Sequence, residues 1–148
     1  MRQKDYEAIS ARTAMARTTA SAPARWLVEH GKIWGRTLDY GCGRGKDAET
    51  YLWEKFDPCY FPVRPDGLFK TIVCTYVLNT IPPLYELKIL RDIRSLLDDN
   101  GGNAYISVRR DIQKDGLTNS GTYQRTVYLP YEVLHKTRGY IIYRVQAK

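Results

Sequence analysis

Polar and apolar positions alternate along this chain in short bursts, each the length of one helix or strand. Residues 1–20 hold few large apolar side chains and predict a loosely ordered basic arm, structural or substrate-facing. Ser21-Ala22-Pro23 reads as a helix start, Ser21 as N-cap and Pro23 in the first turn. Trp26, Leu27 and Val28 give this helix apolar contacts before Gly31 ends it. Thr37–Tyr40 predicts a short strand, and Lys46–Trp53 a helix with Asp47 and Glu49 favouring its dipole. A brief extended segment at Lys55-Phe56-Asp57 leads into a loop marked by Pro58, Pro62, Pro65 and Gly67. Phe69–Thr75 is a buried strand rich in β-branched residues.

The clearest periodicity belongs to Pro83–Leu97, where Leu84, Leu87, Leu90, Ile93, Leu96 and Leu97 predict one apolar helical stripe. Asp98–Gly102 ends it, and Ala104–Val108 reads as a further strand. The tail predicts strand Tyr123–Leu129, a short helix Tyr131–Lys136 and strand Tyr140–Val145. Strands alternating with helices argue for a mostly parallel sheet covered on both faces.

At 148 residues the chain suits one domain with a real core, read here as 1–148. No apolar run approaches the roughly 20 residues needed to span a bilayer. The Arg/Ser/Ala/Thr-rich stretch Ile9–Arg25 is transit-peptide-like, but Asp5 and Glu7 before it argue against that reading. Cys42, Cys59 and Cys74 lack C-x-x-C spacing and suit free thiols in a reducing compartment, so a cytoplasmic location is expected. The net charge of +7 is uneven. Residues 1–36, 37–108 and 109–148 carry +4, −2 and +5 (seven basic against three acidic, eight against ten, eight against three). A polyanion such as nucleic acid would meet the basic flanks, although basic surface also simply keeps a protein soluble.

Chemistry concentrates at Leu38-Asp39-Tyr40-Gly41-Cys42-Gly43-Arg44-Gly45, where a strand turns into a helix. Glycines there let the backbone pass close to a ligand that the helix N-terminal amides face. A dinucleotide fingerprint would want its third glycine at position 46, which is Lys46. The glycines instead read G-x-G-x-G behind an acid, and no pyrophosphate needs cradling if the ligand is a nucleoside with an amino-acid tail. Asp57 follows Asp39 by 18 residues, close to the spacing of about 20 used for ribose recognition in related sheets.

The glycine motif resembles the first motif of the class I S-adenosylmethionine (AdoMet)-dependent methyltransferases. Ile72–Asn79 is similar to that family's fourth-strand motif. LDYGCGRGKD, FDPCYFP, YVLN and the preceding AIS-R…SAP resemble, over roughly residues 8 to 111, methyltransferase-like proteins associated with DNA phosphorothioation and their short phage relatives. The resemblance implies a reduced Rossmann-like sheet with an antiparallel C-terminal strand, and AdoMet as cofactor. Only about a dozen residues follow Asp57 before the next strand, too few for the usual third strand and its helix. Asp39, Tyr40, Gly41, Cys42, Gly43 and Gly45 are then expected at the cofactor, Asp39 helping to hold its ammonium. Asp57 is expected on the ribose, Pro58, Tyr60 and Phe61 around the adenine, and Cys74 and Thr75 near the methionine portion.

Tyr76, Asn79 and Asp111 are the substrate-side candidates, with Arg109–Asp111 and Gly116–Arg125 as a substrate loop. Asn79 equally reads as a cap, and the loop as a solvated connection. Two lookalikes are set aside. Asn79, Pro82, Pro83 and Tyr85 carry the letters of the N-P-P-Y motif but are not contiguous, and Pro58-Cys59 follows the wrong strand for a cytosine-C5 nucleophile. His30 and His135 read as surface or capping residues, and no metal site is expected. Tail tyrosines interleaved with Arg125, Arg138 and Arg144 suit either half-buried strands or a base-stacking surface. The leading expectation is methyl transfer to a nucleic acid or nucleotide. The alternatives are a non-catalytic nucleic-acid-binding module with a vestigial or regulatory AdoMet pocket, and an AdoMet-cleaving enzyme.

Overall fold

The computed structural model describes residues 2–14 and 16–147. In chain order its elements are helices α1 (Gln3–Thr13) and α2 (Ala22–Glu29), strand β1 (Thr37–Tyr40), helix α3 (Lys46–Tyr51), and strands β2 (Glu54–Phe56) and β3 (Thr71–Thr75). A single 3-10 turn (Leu78–Thr80) precedes helix α4 (Pro83–Ser95) and strand β4 (Asn103–Arg109). Strands β5 (Gly116–Leu117), β6 (Tyr123–Gln124), β7 (Glu132–Lys136) and β8 (Tyr140–Gln146) complete the chain.

Six strands form one sheet in the order β2-β1-β3-β4-β8-β7, and β5-β6 make a separate hairpin. β2, β1, β3 and β4 pair in parallel, β8 runs antiparallel to β4, and β7 antiparallel to β8. β8 is therefore the reversed strand, and β7 returns to the direction of the parallel set. Among the described residues no strand lies outside β2, where residues 57–70 run as turns, isolated bridges and irregular chain. The shortening and the antiparallel C-terminal strand expected from the sequence are both present.

Strand alternation divides the core. Leu38, Ile72, Cys74, Ala104, Ile106, Tyr143 and Val145 pack on the α4 side with Leu90, Ile93, Leu96 and Leu97. Val73, Tyr105 and Ile142 point the other way, onto Ala24 and Leu27 of α2 and Ala48 of α3. The sheet is thus covered on both faces, as a buried parallel sheet must be. Ser21 caps α2 as expected, accepting from the Ala24 amide at 3.3 Å. Its hydroxyl also donates to Asp47 Oδ2 at 2.6 Å while its amide donates to Oδ1 at 2.6 Å, so Asp47 joins α3 to the start of α2.

Four expectations are corrected. Residues 3–13 form a helix, not a loose arm: docking supplies stability that so polar a segment lacks alone. Residues 132–136 are strand β7, because pairing with β8 overrides a weak helical pattern. Of Tyr123–Leu129 only Tyr123 and Gln124 pair, although Val127 and Leu129 are still buried. Leu84 and Leu87 lie outside the apolar stripe, 79% and 56% exposed, while Tyr85 and Ile89 pack against the core instead. Among the described residues no helix is long and apolar enough to cross a membrane.

Candidate functional site

A cavity of about 650 Å³ opens at the carboxyl ends of β1, β2 and β3. Open α/β sheets bind their ligands at this edge, and the volume falls within the roughly 300–1,000 Å³ of small-molecule pockets. Its floor is the bend after β1. The amides of Gly41 and Cys42 donate to the Phe56 carbonyl at 2.7 and 3.1 Å, tying that bend to β2. Gly41 sits at φ +73°, and a Cβ there would stand 2.4 Å from Val77 Cγ2. Gly43 sits at φ +55°, beneath Ala14. Both positions need glycine for handedness, and Gly41 also for space.

Three carboxylates gather around this floor. Asp39, at the centre of β1's pairing with β2 and β3, is 3% exposed and lines the cavity. Among the described residues nothing hydrogen-bonds or ion-pairs with its carboxylate. Burial first, then the charges of Asp47 and Asp57, push its pKa well above the ordinary value. Asp57 follows β2 directly and is buried against the glycine bend, Oδ2 accepting from the Gly43 amide at 2.9 Å. Its Oδ1 accepts from the amides of Cys59 and Tyr60 at 2.9 and 3.1 Å. A carboxylate offers about four lone-pair sites, so Oδ2 keeps room for one further donor.

The α4 side forms a wall. Tyr40 donates its phenol hydrogen to Asp92 Oδ2 at 2.6 Å, and Arg64 donates to Asp92 Oδ1 at 2.7 Å, pinning the loop after β2 to α4. Burial and the Asp92 bond both push the Tyr40 phenol up, so it stays protonated. Phe56, Pro58 and Ile89 supply apolar lining. α1 roofs the cavity through Gln3, Glu7, Ser10, Ala11 and Ala14, one face of the helix. Its fastenings reach Lys88 of α4, whose ammonium donates to Gln3 at 3.0 Å, and Thr80, whose hydroxyl meets that of Ser10 at 2.5 Å. Tyr60 donates its hydroxyl to the Ala11 carbonyl at 3.0 Å, and Tyr6 packs on Tyr85 and Tyr123.

Most of the residues singled out from the sequence converge here. Asp39, Tyr40, Gly41, Cys42, Gly43, Gly45, Asp57, Pro58, Thr75 and Tyr76 all line the cavity. Five others stand outside it. Tyr60 clasps α1 from the side, and Phe61 packs beside Gly45 and under Lys55. Cys74 is fully buried on the α4 face of the sheet. Asn79 is 1% exposed and works as a brace: Oδ1 accepts from the Arg109 amide at 2.7 Å while Nδ2 donates to the Arg125 carbonyl at 2.9 Å. Asp111 is exposed and forked onto Arg109 at 2.8–2.9 Å. Cys59 donates to the Glu7 carbonyl at 3.6 Å, and burial and Asp57 raise its pKa, the opposite of an activated thiolate.

Tyr76 carries the backbone anomaly of the site. It is a non-glycine residue at φ +62°, half-buried at the end of β3, its amide donating to the Ser107 carbonyl at 2.8 Å. Strain of this kind, costing about 1–3 kcal/mol, clusters at functional positions. The sequence reading missed the roof of α1, Arg17, and the Arg64–Asp92 pair. The spacing of Gln3, Glu7, Ser10, Ala11 and Ala14, small or polar residues on one helical face, was the available signal for the roof.

No family model and no curated protein sequence matches this chain. Solved structures do resemble it. A complex of DhpI with S-adenosylhomocysteine (SAH) superposes with a TM-score of 0.64 at 12% identity, over 95% of this chain and 94% of that one. The 1,6-didemethyltoxoflavin-N1-methyltransferase of Burkholderia thailandensis, bound to its substrate and SAH, gives 0.69 at 16% identity over 99% and 91%. The magnesium protoporphyrin IX methyltransferase ChlM of Synechocystis, with bound AdoMet, gives 0.51 at 15% over 99% and 83%. At such identities the likeness is one of fold, and the chain has the mixed α/β, Rossmann-like fold that these methyltransferases share.

Proposed function

We propose that this chain is an AdoMet-dependent methyltransferase whose acceptor is a nucleotide-sized molecule. The observation that carries the reading is the Asp39 carboxylate, buried without a partner among the described residues, in a cavity that also holds Asp57 with one acceptor site still open. A buried acid is stable only with a compensating charge or a proton, and a cationic ligand supplies the charge. Gly41 and Gly43 keep the floor free of side chains, so a nucleoside with a cationic amino-acid tail fits the residues present.

In this reading Asp39 seats the ammonium of the methionine portion. Asp57 accepts from a ribose hydroxyl through the free capacity of Oδ2, and Phe56, Pro58 and Ile89 line the base. When bound, AdoMet supplies a sulfonium carbon already activated for in-line displacement. The chain's contribution is alignment and exclusion of water, for which the α1 roof is suited. Burial pushes the Tyr76 phenol up to about 12, so at neutral pH it donates a hydrogen bond and is a poor base. A roofed cavity suits a nucleotide better than a duplex, while the basic flanks keep anionic acceptors in view. The likeness to phosphorothioation-associated proteins and their phage relatives fits an acceptor from nucleic-acid chemistry.

The test is methyl transfer from labelled AdoMet into separate arms of nucleotides, single-stranded RNA and duplex DNA. Label in the nucleotide arm, lost in Asp39→Asn, supports the proposal. Label in duplex DNA alone overturns the choice of acceptor, and failure to bind AdoMet at all overturns the activity.

A further inference from the structure

Outside the cavity, basic side chains collect at one corner of the molecule. Lys136 ends β7, Arg138 stands in the turn before β8, and Arg109 and Arg110 lie where β4 finishes. Sheet pairing brings them together. Lys136 pairs with Ile141, Arg109 pairs with Tyr140, and the Arg110 amide donates to the Gly139 carbonyl at 2.9 Å. The Arg110 guanidinium donates to the Thr137 carbonyl, and Thr137 Oγ1 accepts from the amides of Gly139 and Tyr140 at 3.1 and 3.0 Å, which holds the turn. Arg25 of α2 joins this corner: its neighbour Trp26 stacks on His135 at 4.3 Å, and Arg25 lies within electrostatic range of the Tyr140 phenol. All five cations are exposed. Among the described residues Arg25, Arg110, Lys136 and Arg138 form no ion pair, whereas Arg109 is forked onto Asp111. Glu29, also within range of Tyr140, is a second acid here.

The corner adjoins the cavity. Tyr76 lines the cavity, and Arg109 and Tyr140 lie within electrostatic range of its phenol. Asp111 and Glu29 cannot balance five cations, so the corner repels itself until an anion arrives. Guanidinium forks match phosphate oxygens. Several of them spread over a turn, a strand end and a helix suit a chain of phosphates better than one small anion. A duplex keeps its bases stacked and out of reach of a roofed cavity, whereas a single strand exposes them.

We infer that Arg25, Arg109, Arg110, Lys136 and Arg138 form a docking surface for the phosphates of a single-stranded nucleic acid, one nucleotide of which enters the cavity. The entry of that nucleotide rests on the proposed function, while the phosphate surface stands without it.

Fluorescence anisotropy on the full chain tests the surface, with thermal melts as a check on folding and SAH titrated separately. The probes are short labelled oligo(dT) and oligo(U) and a duplex of the same length, with polyglutamate as competitor. Phosphates on the four unpaired cations predict a log–log salt slope of about −3, roughly a 50-fold loss of affinity for a fourfold rise in salt. Arg138→Ala should flatten that slope by about 0.7, and Arg25→Glu combined with Arg138→Glu should weaken single strands at least about tenfold. The same charge reversal at Arg94, exposed on α4 across the sheet, should change affinity by less than about twofold. The surface is overturned if no oligonucleotide binds wild type, or if Arg94→Glu weakens binding as much as the Arg25 and Arg138 pair. Polyglutamate that displaces the strand at equal charge also overturns it and assigns the corner to an acidic protein. A duplex bound as tightly as the single strands overturns the choice of strand. Wild type that binds oligonucleotide but not SAH removes the AdoMet reading, and with it the entry of a nucleotide, while the phosphate surface stands; the two failures are thus distinct.

Discussion

Asp39→Asn should move stability and binding in opposite directions. The carboxylate is 3% exposed and has no hydrogen-bond or ion-pair partner among the described residues, and Asp47 and Asp57 add like charge. The effective cost of burying one uncompensated ion is several kcal/mol, while an unpaired amide costs about 1–3 kcal/mol. The isosteric change should therefore stabilise the ligand-free protein by about 1–3 kcal/mol, a melting temperature higher by roughly 3–10 °C for a domain of this size. A carboxyl whose folded pKa lies above its unfolded value holds more protons in the folded state between the two values. Stability then falls as pH rises through that interval, which begins near 3.8. Wild type should show this decline and Asp39→Asn should lack it. SAH affinity should drop roughly 10- to 150-fold, the equivalent of about 1.5–3 kcal/mol for a charge-assisted bond. Differential scanning calorimetry across pH, paired with SAH titration, measures both. A variant that melts below wild type, or that binds SAH equally well, would refute the reasoning.

Further outcomes follow from the same geometry. Gly41→Ala forces a Cβ into Val77 at φ +73°; left-handed backbone and overpacking together should cost roughly 2–5 kcal/mol in urea unfolding. Asn79→Ala strands the Arg109 amide and the Arg125 carbonyl. It should destabilise by about 2–4 kcal/mol while leaving SAH affinity within a few-fold, and a selective loss of binding would contradict its role as a brace. SAH binding should release protons and strengthen as pH rises through the range where Asp39 titrates, because an ammonium beside the carboxylate favours its charged form. Titrations in buffers of different ionisation enthalpy would reveal no proton release if that contact is absent.

Much of the site was legible because it lies on local signals. Strand, glycine bend and following acid occupy Leu38–Asp57, and each needs only its neighbours to be recognised. Ser21 and Pro23 likewise announced α2 before any packing was known. What escaped depends on distant partners. α1 has too few large apolar residues to declare itself, and is held by Tyr85, Tyr123, Lys88 and Tyr60 from three other segments. Glu132–Lys136 carries no β-rich composition and becomes a strand through β8. Asn79 sits where a substrate-facing amide was expected, but the chain at Arg109 and Arg125 folds back to claim both ends of it. Leu84 and Leu87 satisfy the period of a buried stripe, yet the sheet meets α4 one residue further round.

The central claim is that a nucleoside with a cationic amino-acid tail lies on the bend after β1. A crystal structure of the full chain grown with SAH tests it most directly. The account predicts a ribose hydroxyl within hydrogen-bond distance of Asp57 Oδ2 and the ammonium beside Asp39, under α1. SAH bound elsewhere, or an Asp39 carboxylate turned away from the ligand, would contradict it.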